Sequence, residues 1–279
     1  MERPGKNQVI FTSYHNHTTW SDGSATVPEM IDGARSAGLK ELGISDHFAP
    51  TPGGDRVSWA LSPQLLDAYV AQIRQAMERS PDITLRLGLE VDFFPETAEL
   101  IRQRLAPYPF DYLIGSVHFI DNFPIDLSEQ AWKEISEESR NGIWRAYWQR
   151  LRAAAQSGLF DIVGHFDLPK KFRFYPSVDL TAEALAVLDA VAAADMAIEI
   201  NTSGWDRPAA EAYPSLFYLE EANRRKIPLV INSDAHAVGE LTRHFERARH
   251  LALAAGYREL VGFERRHRFP QPFDAEMNP

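Results

Sequence analysis

Seven short apolar runs recur along the chain, each four to six residues long. Because they are apolar at most positions instead of alternating, they predict strands buried on both faces, as in a parallel sheet covered by helices. The runs are residues 9–14, 41–45, 84–89, 112–117, 161–164, 196–200 and 228–232.

Between the runs, apolar residues repeat at helical spacing. Ser62 and Pro63 are typical of a helix start, and the stripe that follows comprises Leu66, Val70, Ile73 and Met77. Further stripes are Trp144, Tyr147, Trp148 and Leu151, ending near Gly158; Leu185, Leu188 and Val191; and, after Pro214, Leu216, Leu219 and Ala222. This alternation predicts βα units, and seven of them favour a closed or nearly closed barrel over an open sheet.

Two segments fall outside this alternation. Residues 121–141 resemble an insertion after the fourth run, and we expect them to form a lid or a wall of a substrate site. Residues 264–279 are polar and contain proline, so we expect a surface extension there. With a barrel core at about 9–262, residues 1–279 are predicted to form a single domain.

Six of the seven runs are followed by residues that commonly bind metal ions, and six of the nine histidines lie there. In a βα barrel the C-terminal ends of the strands meet at one rim, where active sites are built. These side chains should therefore converge in the polynuclear metal centre of a hydrolase. They are His15 and His17, Asp46 and His47, Glu90, His118, His165, and Asp234 and His236; the sixth run ends at Asn201.

The spacing of these residues indicates which of them face the centre. His15 and His17 lie two apart at a strand end and point to the same side, as do Asp234 and His236. Glu90 ends an apolar run, where a carboxylate is costly unless it is paired or bound to metal. Its two oxygens suit it to bridge two ions.

The other positions leave alternatives open. His47, His118 and His165 are either ligands or hydrogen-bonded core histidines, and the company of the other ligands favours the first. Alternation places Asp46 opposite His47, so we expect it to orient a ligand or cap the strand end. Asp22, in the first loop, is either a ligand or a turn residue.

The amino-acid composition limits the metal ions that the site could bind. The 279 residues are 44% hydrophobic and 24% charged, which is typical of a globular protein. Cysteine is absent, and the nitrogen and oxygen donors suit two or three ions of Zn, Mn or Fe. About 3.5 Å apart, such ions would bind substrate oxygens and hold a bridging hydroxide.

Charge and hydropathy limit the partners. A net charge of −10 disfavours nucleic acid, whereas a small anion could still be attracted by bound dications. No apolar run reaches membrane-spanning length, and residues 1–8 lack the apolar core of a signal peptide. We therefore expect a cytoplasmic protein, and its oligomeric state stays open.

The motifs resemble those of the PHP (polymerase and histidinol phosphatase) superfamily over roughly residues 9–262. The matching motifs are His15-Asn16-His17, Asp46-His47, Glu90 with His118, and Asp234-Ala235-His236. Residues 110–119, 164–172, 201–204 and 213–215 are similar to the monofunctional histidinol-phosphatase branch. The resemblance implies an α/β fold, a distorted (β/α)7 TIM-like barrel, with a trinuclear centre.

The resemblance also divides the ligands into three sets. The first ion would be held by His15, His17, Glu90 and Asp234; the second by Glu90, His118 and His165; the third by His47, His236 and a residue of the first loop. Some members of the superfamily have a histidine in that loop. This chain has Ser21-Asp22-Gly23-Ser24, so Asp22 is the expected replacement, and a weaker or different third metal is the alternative.

The activity implied by the resemblance is hydrolysis of L-histidinol phosphate to L-histidinol and inorganic phosphate, late in histidine synthesis. A metal-bridging hydroxide at the Glu90 and Asp234 site would attack phosphorus in line with the leaving alkoxide, and no general acid is assigned. Arg207 is expected to hold phosphate oxygens. Supporting cations would be Lys170, Lys171 and Arg173, and candidates for contacts with the amine and imidazole are Asp126, Phe119 and Trp205.

Three alternatives are distinguishable. Another PHP phosphoesterase, acting on nucleotides or other phosphomonoesters, would share the barrel and the metals. A barrel hydrolase of C–N bonds commonly has a metal-bridging lysine at a strand end, and none of the predicted strands offers one. A non-catalytic PHP scaffold would have lost ligands, whereas this set is nearly complete.

Overall fold

Seven parallel strands form a nearly closed barrel in the computed structural model, which describes residues 10–272. The predicted α/β barrel is therefore confirmed. The strands are β1 (Thr12–Ser13), β2 (Glu41–Ile44), β3 (His47–Phe48), β4 (Thr84–Asp92), β5 (Tyr112–Ser116), β6 (Phe119–Ile120), β7 (Phe123–Pro124), β8 (Ile162–Val163), β9 (Ala197–Asn201), β10 (Leu229–Asn232), β11 (Glu259–Glu264) and β12 (His267–Pro272).

The barrel runs in the order β1-β2-β4-β5-β8-β9-β10, and β3 extends the sheet beside the end of β4. The chain just past β1 meets the chain just past β10. There the amide of His17 donates to the carbonyl of Ala235 at 2.8 Å, and the amide of Ala235 donates to the carbonyl of His15 at 3.3 Å. These bonds bring the first and last strands together, so ligands from both ends of the chain lie side by side.

Helices follow most of the strands and cover the barrel. The first of them begins with reciprocal hydrogen bonds between Thr26 and Glu29, which satisfy the free amides of its first turn. The helix predicted from Ser62 begins with a 3-10 turn, Pro63–Leu65. The α-helices are α1 (Val27–Ser36), α2 (Leu66–Arg79), α3 (Ala98–Leu105), α4 (Glu129–Glu134), α5 (Glu137–Gln156), α6 (Thr181–Ala193), α7 (Leu216–Arg224) and α8 (Phe245–Ala254); further 3-10 turns are Pro95–Thr97, Leu168–Phe172, Thr202–Asp206 and Val238–Glu240.

Aromatic side chains fill the barrel interior at its N-terminal end. The rings of Tyr14 and Tyr112 meet edge to face at 5.2 Å, and Phe263 packs against both. Gly88 makes room for this packing, because a Cβ there would lie 2.3 Å from Cζ of Tyr112. The interior is thus a packed core at this end, and a cavity opens at the opposite rim.

One expectation needs a refinement. Residues 264–268 are exposed, as expected of a surface segment, but the segment also contains β12, which pairs antiparallel with β11, whose Val261 and Phe263 enter the barrel core. Residues 273–279 of that predicted extension, and residue 9 of the first predicted strand, lie outside the described residues. Within residues 10–272, no helix is long and apolar enough to cross a membrane.

The segment 121–141 is structured and lies at the C-terminal rim. It contains the β6–β7 turn, α4 and the start of α5. Trp132 of α4 is fully buried, and its indole N–H donates to the carbonyl of Ile125 at 2.7 Å. This hydrogen bond joins two parts of the segment, and the ring of Trp132 also stacks with that of Phe174 outside it, with centroids 6.1 Å apart.

Candidate metal centre

Four side chains from three strands converge on one point at the C-terminal rim. His15 Nε2 lies 3.2 Å from Glu90 Oε2 and 3.6 Å from Asp234 Oδ1. His17 Nε2 lies 3.7 Å and 3.1 Å from the same two oxygens. The alternation expected for these residues therefore places both imidazoles against one pair of carboxylates.

A second cluster lies on the other side of Glu90. His165 Nε2 is 2.8 Å from Glu90 Oε1, and His118 Nε2 is 3.6 Å from the same oxygen. The two imidazole nitrogens are 3.1 Å apart. Oε1 of Glu90 thus faces this second cluster, while Oε2 faces His15 of the first cluster and also lies 2.6 Å from Nδ1 of His47.

A third cluster forms at the outer side of the rim. Asp22 Oδ1 lies 3.6 Å from His47 Nε2 and 3.4 Å from His236 Nε2. The ring of His17 lies between those of His47 and His236, with centroid distances of 4.1 and 4.2 Å. Three imidazoles and one carboxylate are thus within reach of a common ion.

Several atoms of this centre are buried without a hydrogen-bond partner. They include His15 Nε2 and Glu90 Oε2, although both residues are at most 1% exposed. The two atoms face each other at 3.2 Å without forming a hydrogen bond, which costs free energy, and a metal ion bound by both would remove that cost. The donor set, imidazole nitrogen and carboxylate oxygen, suits Zn and related ions.

Burial and neighbouring charges set the protonation of the third cluster. Burial, together with the nearby imidazoles of His47 and His236, lowers the pKa of His17 to about 3, so its nitrogen is free to bind a cation. Although burial acts in the opposite direction, a hydrogen bond to the carboxylate of Asp22 and the charge of Asp234 raise the pKa of His236 to about 9. In the metal-free protein a proton on His236 partly offsets the carboxylates.

The pKa of His118, in the second cluster, is raised in the same way as that of His236. Burial opposes protonation, but the carboxylates of Asp92 and Glu90 raise its pKa to about 10. The site is therefore rich in negative charge, and a bound dication would take over the role of the proton.

Two buried carboxylates that were not predicted orient the ligands. Glu199 is fully buried; its Oε2 accepts a hydrogen bond from His15 Nδ1 at 3.0 Å, and its Oε1 accepts one from the amide of His165 at 2.7 Å. Asp92 Oδ2 lies 3.1 Å from His118 Nδ1. Contacts of this kind orient the rings of metal-binding histidines.

The alternation of residues along the strands could have predicted both Glu199 and Asp92. Glu199 lies two residues before Asn201 within an otherwise apolar run, and Asp92 lies two residues after Glu90. Asn201 itself donates to Asp234 Oδ2 at 3.1 Å, so the run end without a usual ligand still contacts the centre.

Asp46 lies beneath the first loop and does not contact the three clusters through its carboxylate. Oδ1 accepts from the amide of Thr18 at 2.7 Å and from the hydroxyl of Ser21 at 2.6 Å, while Oδ2 accepts from the hydroxyl of Thr18 at 2.8 Å. Of the two roles considered for Asp46, the geometry matches the cap, because these bonds hold the loop that presents Asp22.

A cavity of about 340 Å³ opens over the three clusters. Trp59 and Phe119 form one wall, with rings stacked at 5.9 Å and an interplanar angle of 9°. Trp59 was not predicted, because it comes from an irregular segment without periodicity. The segment 121–141 supplies Pro124, Asp126 and Leu127, as expected of a wall.

Two of the four predicted phosphate-binding cations line the cavity. Arg207 reaches it from the turn after β9, and Lys171 from the turn after β8. The ammonium of Lys171 donates to Asp126 Oδ2 at 3.0 Å and to the carbonyl of the same residue at 2.7 Å. Both cations therefore lie at the cavity wall, and the ammonium of Lys171 is paired there with Asp126.

The structure does not bring the other predicted contacts to the cavity. Lys170 is buried, and its ammonium lies 2.9 Å from Asp167 Oδ2 and 3.1 Å from Glu211 Oε2. Arg173 is exposed and is not part of the lining. Trp205 likewise does not line the cavity and instead packs beneath the guanidinium of Arg247 at 4.5 Å. The sequence pattern does not reveal the direction of a side chain in these irregular segments. It therefore did not predict that Lys170, Arg173 and Trp205 lie outside the cavity lining.

A parallel βα barrel whose rim carries converging histidines and carboxylates is the architecture of a metal-dependent hydrolase. The family model described as PHP domain matches residues 13–203. The chain belongs to this family.

Relatives with described activities cover most of the chain. It is 37% identical over 236 residues to a probable histidinol-phosphatase of Deinococcus radiodurans, an alignment that covers 84% of this chain and 89% of the relative. It is 27% identical to the histidinol-phosphatase of Bacillus subtilis, with 83% and 96% covered.

Solved structures share the fold. The histidinol phosphate phosphatase of Lactococcus lactis, determined with Zn, L-histidinol and phosphate, superposes with a TM-score of 0.77 at 23% identity and covers 92% of this chain and 98% of its own. A putative histidinol phosphatase of Listeria monocytogenes gives a TM-score of 0.73 at 21% identity, with 85% and 99% covered.

Proposed function

We propose that this protein is a metal-dependent phosphomonoesterase that hydrolyses L-histidinol phosphate to L-histidinol and phosphate. The observation that carries the proposal is the position of Glu90, whose two oxygens face separate histidine clusters beneath a cavity of substrate size. Two relatives of matching length are a probable histidinol-phosphatase and a histidinol-phosphatase, which favours this substrate among phosphomonoesters.

The centre would hold two or three ions. The first would lie among His15, His17, Glu90 and Asp234, the second among Glu90, His118 and His165, and the third among Asp22, His47 and His236. Bound divalent ions supply Lewis-acid stabilisation of the charge on the phosphoryl group. Zn is favoured because the Lactococcus relative was determined with it, and Mn and Fe suit the same donors.

The chain's own residues would position the substrate. Arg207 and Lys171 would bind phosphate oxygens, since both cations line the cavity. Asp126 and the stacked rings of Trp59 and Phe119 would face the amine and imidazole. The buried carboxylate of Glu199 would hold the ring of His15 in its binding orientation.

The deciding experiment compares phosphate release from histidinol phosphate, nucleotides and sugar phosphates by metal-stripped protein reloaded with Zn, Mn or Fe. We expect histidinol phosphate to lead in kcat/KM by about a hundredfold, on the order of 3 kcal/mol in transition-state binding. Equal rates for all esters, or a lead by a nucleotide, would leave a PHP phosphoesterase of another specificity. No turnover of any ester after reloading would indicate a scaffold.

A matched pair of arginine variants tests the phosphate contact. Arg207→Gln should raise KM at least tenfold, because a charged bidentate contact is removed. Arg173→Gln should leave KM unchanged, because that exposed side chain lies outside the cavity. An equal effect of the two changes would point to bulk charge instead of a contact.

Two further parts of the proposal concern the whole chain. We place residues 1–279 in one domain, since the described hairpin β11–β12 contributes to the barrel core. We place the protein in the cytoplasm, where histidine synthesis would supply the substrate, in keeping with a sequence that contains no cysteine. Limited proteolysis and fractionation of the source cells test these two points.

A further inference from the structure

A second crevice opens on the outer surface of the barrel, between α5 and α7. It has a volume of about 410 Å³ and shares no lining residue with the cavity over the metal centre. Its floor includes Asp167 and Lys170, the cation that the metal cavity does not use. We call it the α5–α7 crevice.

Five aromatic residues line the crevice. Trp144 and Trp148 lie on α5, and Tyr218 on α7 packs against Trp148 with ring centroids 5.8 Å apart. At the mouth, Tyr175 and Phe217 are 47% and 45% exposed. Such exposed rings around an opening indicate a surface suited to a ligand.

The floor holds a carboxylate with an unused oxygen. Asp167 is 2% exposed; its Oδ2 lies 2.9 Å from the ammonium of Lys170 and accepts the amide of Ser215 at 3.1 Å, whereas its Oδ1 has no hydrogen-bond partner. A buried carboxylate oxygen without a partner is costly. A donor entering the crevice would remove that cost.

The net charge of the lining determines whether a cation or an anion would bind in the crevice. Three carboxylates, Asp167, Asp179 and Glu211, face one ammonium, that of Lys170, so the lining carries two net negative charges. Aromatic faces attract cations in addition. An anion would meet both repulsion and the negative faces of the rings.

We propose that the α5–α7 crevice is a binding site for a small organic cation, an ammonium group carried on a flat ring. The ring would lie among Trp148, Tyr175 and Tyr218, and the ammonium would donate to Asp167 Oδ1. Binding here would be independent of the phosphate chemistry, because the two cavities share no residue.

Calorimetry of the metal-loaded full chain with benzylamine tests the proposal, with L-histidinol and inorganic phosphate both present at saturation to occupy the cavity over the metal centre. Benzyl alcohol has the same ring without the charge. We expect benzylamine to bind at least tenfold more tightly than the alcohol, about 1.4 kcal/mol. Equal binding of the two, or no binding of either, would overturn the proposal.

Variants locate the site. Asp167→Asn should abolish the preference for benzylamine over the alcohol, and Tyr175→Ala should weaken both ligands. Tyr108→Ala, which removes a tyrosine far from the crevice, is the matched control and should change neither. Unchanged binding in Tyr175→Ala would place the probe elsewhere and overturn the proposal, even if Asp167→Asn fails to fold.

Discussion

The two ends of the barrel interior differ in whether their buried polar groups have hydrogen-bond partners within the protein. At the N-terminal end, the hydroxyl of Tyr14 donates to Glu41 at 2.7 Å, and Arg86 donates to the same carboxylate at 2.7 Å. At the C-terminal end, Glu90 and His15 keep buried atoms without partners. The first arrangement is complete within the protein, whereas the second requires an ion to complete it.

Residues at the closed end of the strands therefore contribute to stability, and residues at the open end contribute to function. Strand β2 begins at Glu41, in the closed end, and β4 carries Glu90 close to its C-terminal end, in the open one. Unsatisfied buried groups persist where a ligand or reaction uses them. Identical substitutions at the two ends should therefore have different consequences.

The largest effect is expected for Glu90→Gln. Since the carboxylate faces two clusters, its loss should remove ions that supply several kcal/mol of transition-state stabilisation. We expect kcat/KM for histidinol phosphate to fall by about a thousandfold, together with the bound metal measured by mass spectrometry. A variant that keeps both its metal and its activity would show that Glu90 does not bridge the ions.

Glu199→Gln tests whether the buried carboxylate of Glu199, which contacts the candidate ligands, contributes to metal binding. Its hydrogen bond from His15 Nδ1 fixes the ring, and removing such a contact typically lowers metal affinity by about 10- to 100-fold. Competition with a chromophoric chelator measures this affinity. Glu259→Gln, an exposed glutamate on β11, should leave it unchanged; a loss of stability in Glu199→Gln without a loss of affinity would mean a purely structural role.

Glu41→Gln makes the same change at the closed end. The pair with Arg86 and Tyr14 is weakened, and we expect the free energy of unfolding to fall by about 1–3 kcal/mol. Urea unfolding of the metal-free chain measures this. Metal content and kcat/KM should stay at the wild-type level, and a loss of either would contradict the separation of the two ends.

The smallest effect is expected for Asp22→Asn. Asp22 supplies the carboxylate of the third cluster, so the outermost ion should weaken while the two ions at Glu90 remain. We expect about a tenfold loss of kcat/KM, or 1.4 kcal/mol, that excess metal partly restores. Asp55→Asn, in an exposed loop, is the control. Loss of all bound metal would instead make Asp22 essential to the whole centre.

Strand-end patterns predicted that the candidate ligands would converge, because the topology of the barrel determines where the strands end. Parallel strands must end at one rim, so residues such as His118 and His165 come together whatever the details of packing. The expected contacts of Lys170 and Trp205 with the substrate cavity were not found; both residues lie within 3-10 turns. There, a side chain's direction depends on local backbone geometry and on neighbours far away in sequence.

The sequence by itself determined the barrel, its rim and the donors placed there, since burial periodicity and strand direction are local properties. Only the tertiary structure decided how Glu90 divides its oxygens between two clusters, which cations face the cavity, and that Asp167 lies at the floor of a separate crevice. Those outcomes depend on distances of a few ångströms between residues that are remote along the chain. Such distances are set by packing, and packing is a property of the whole molecule.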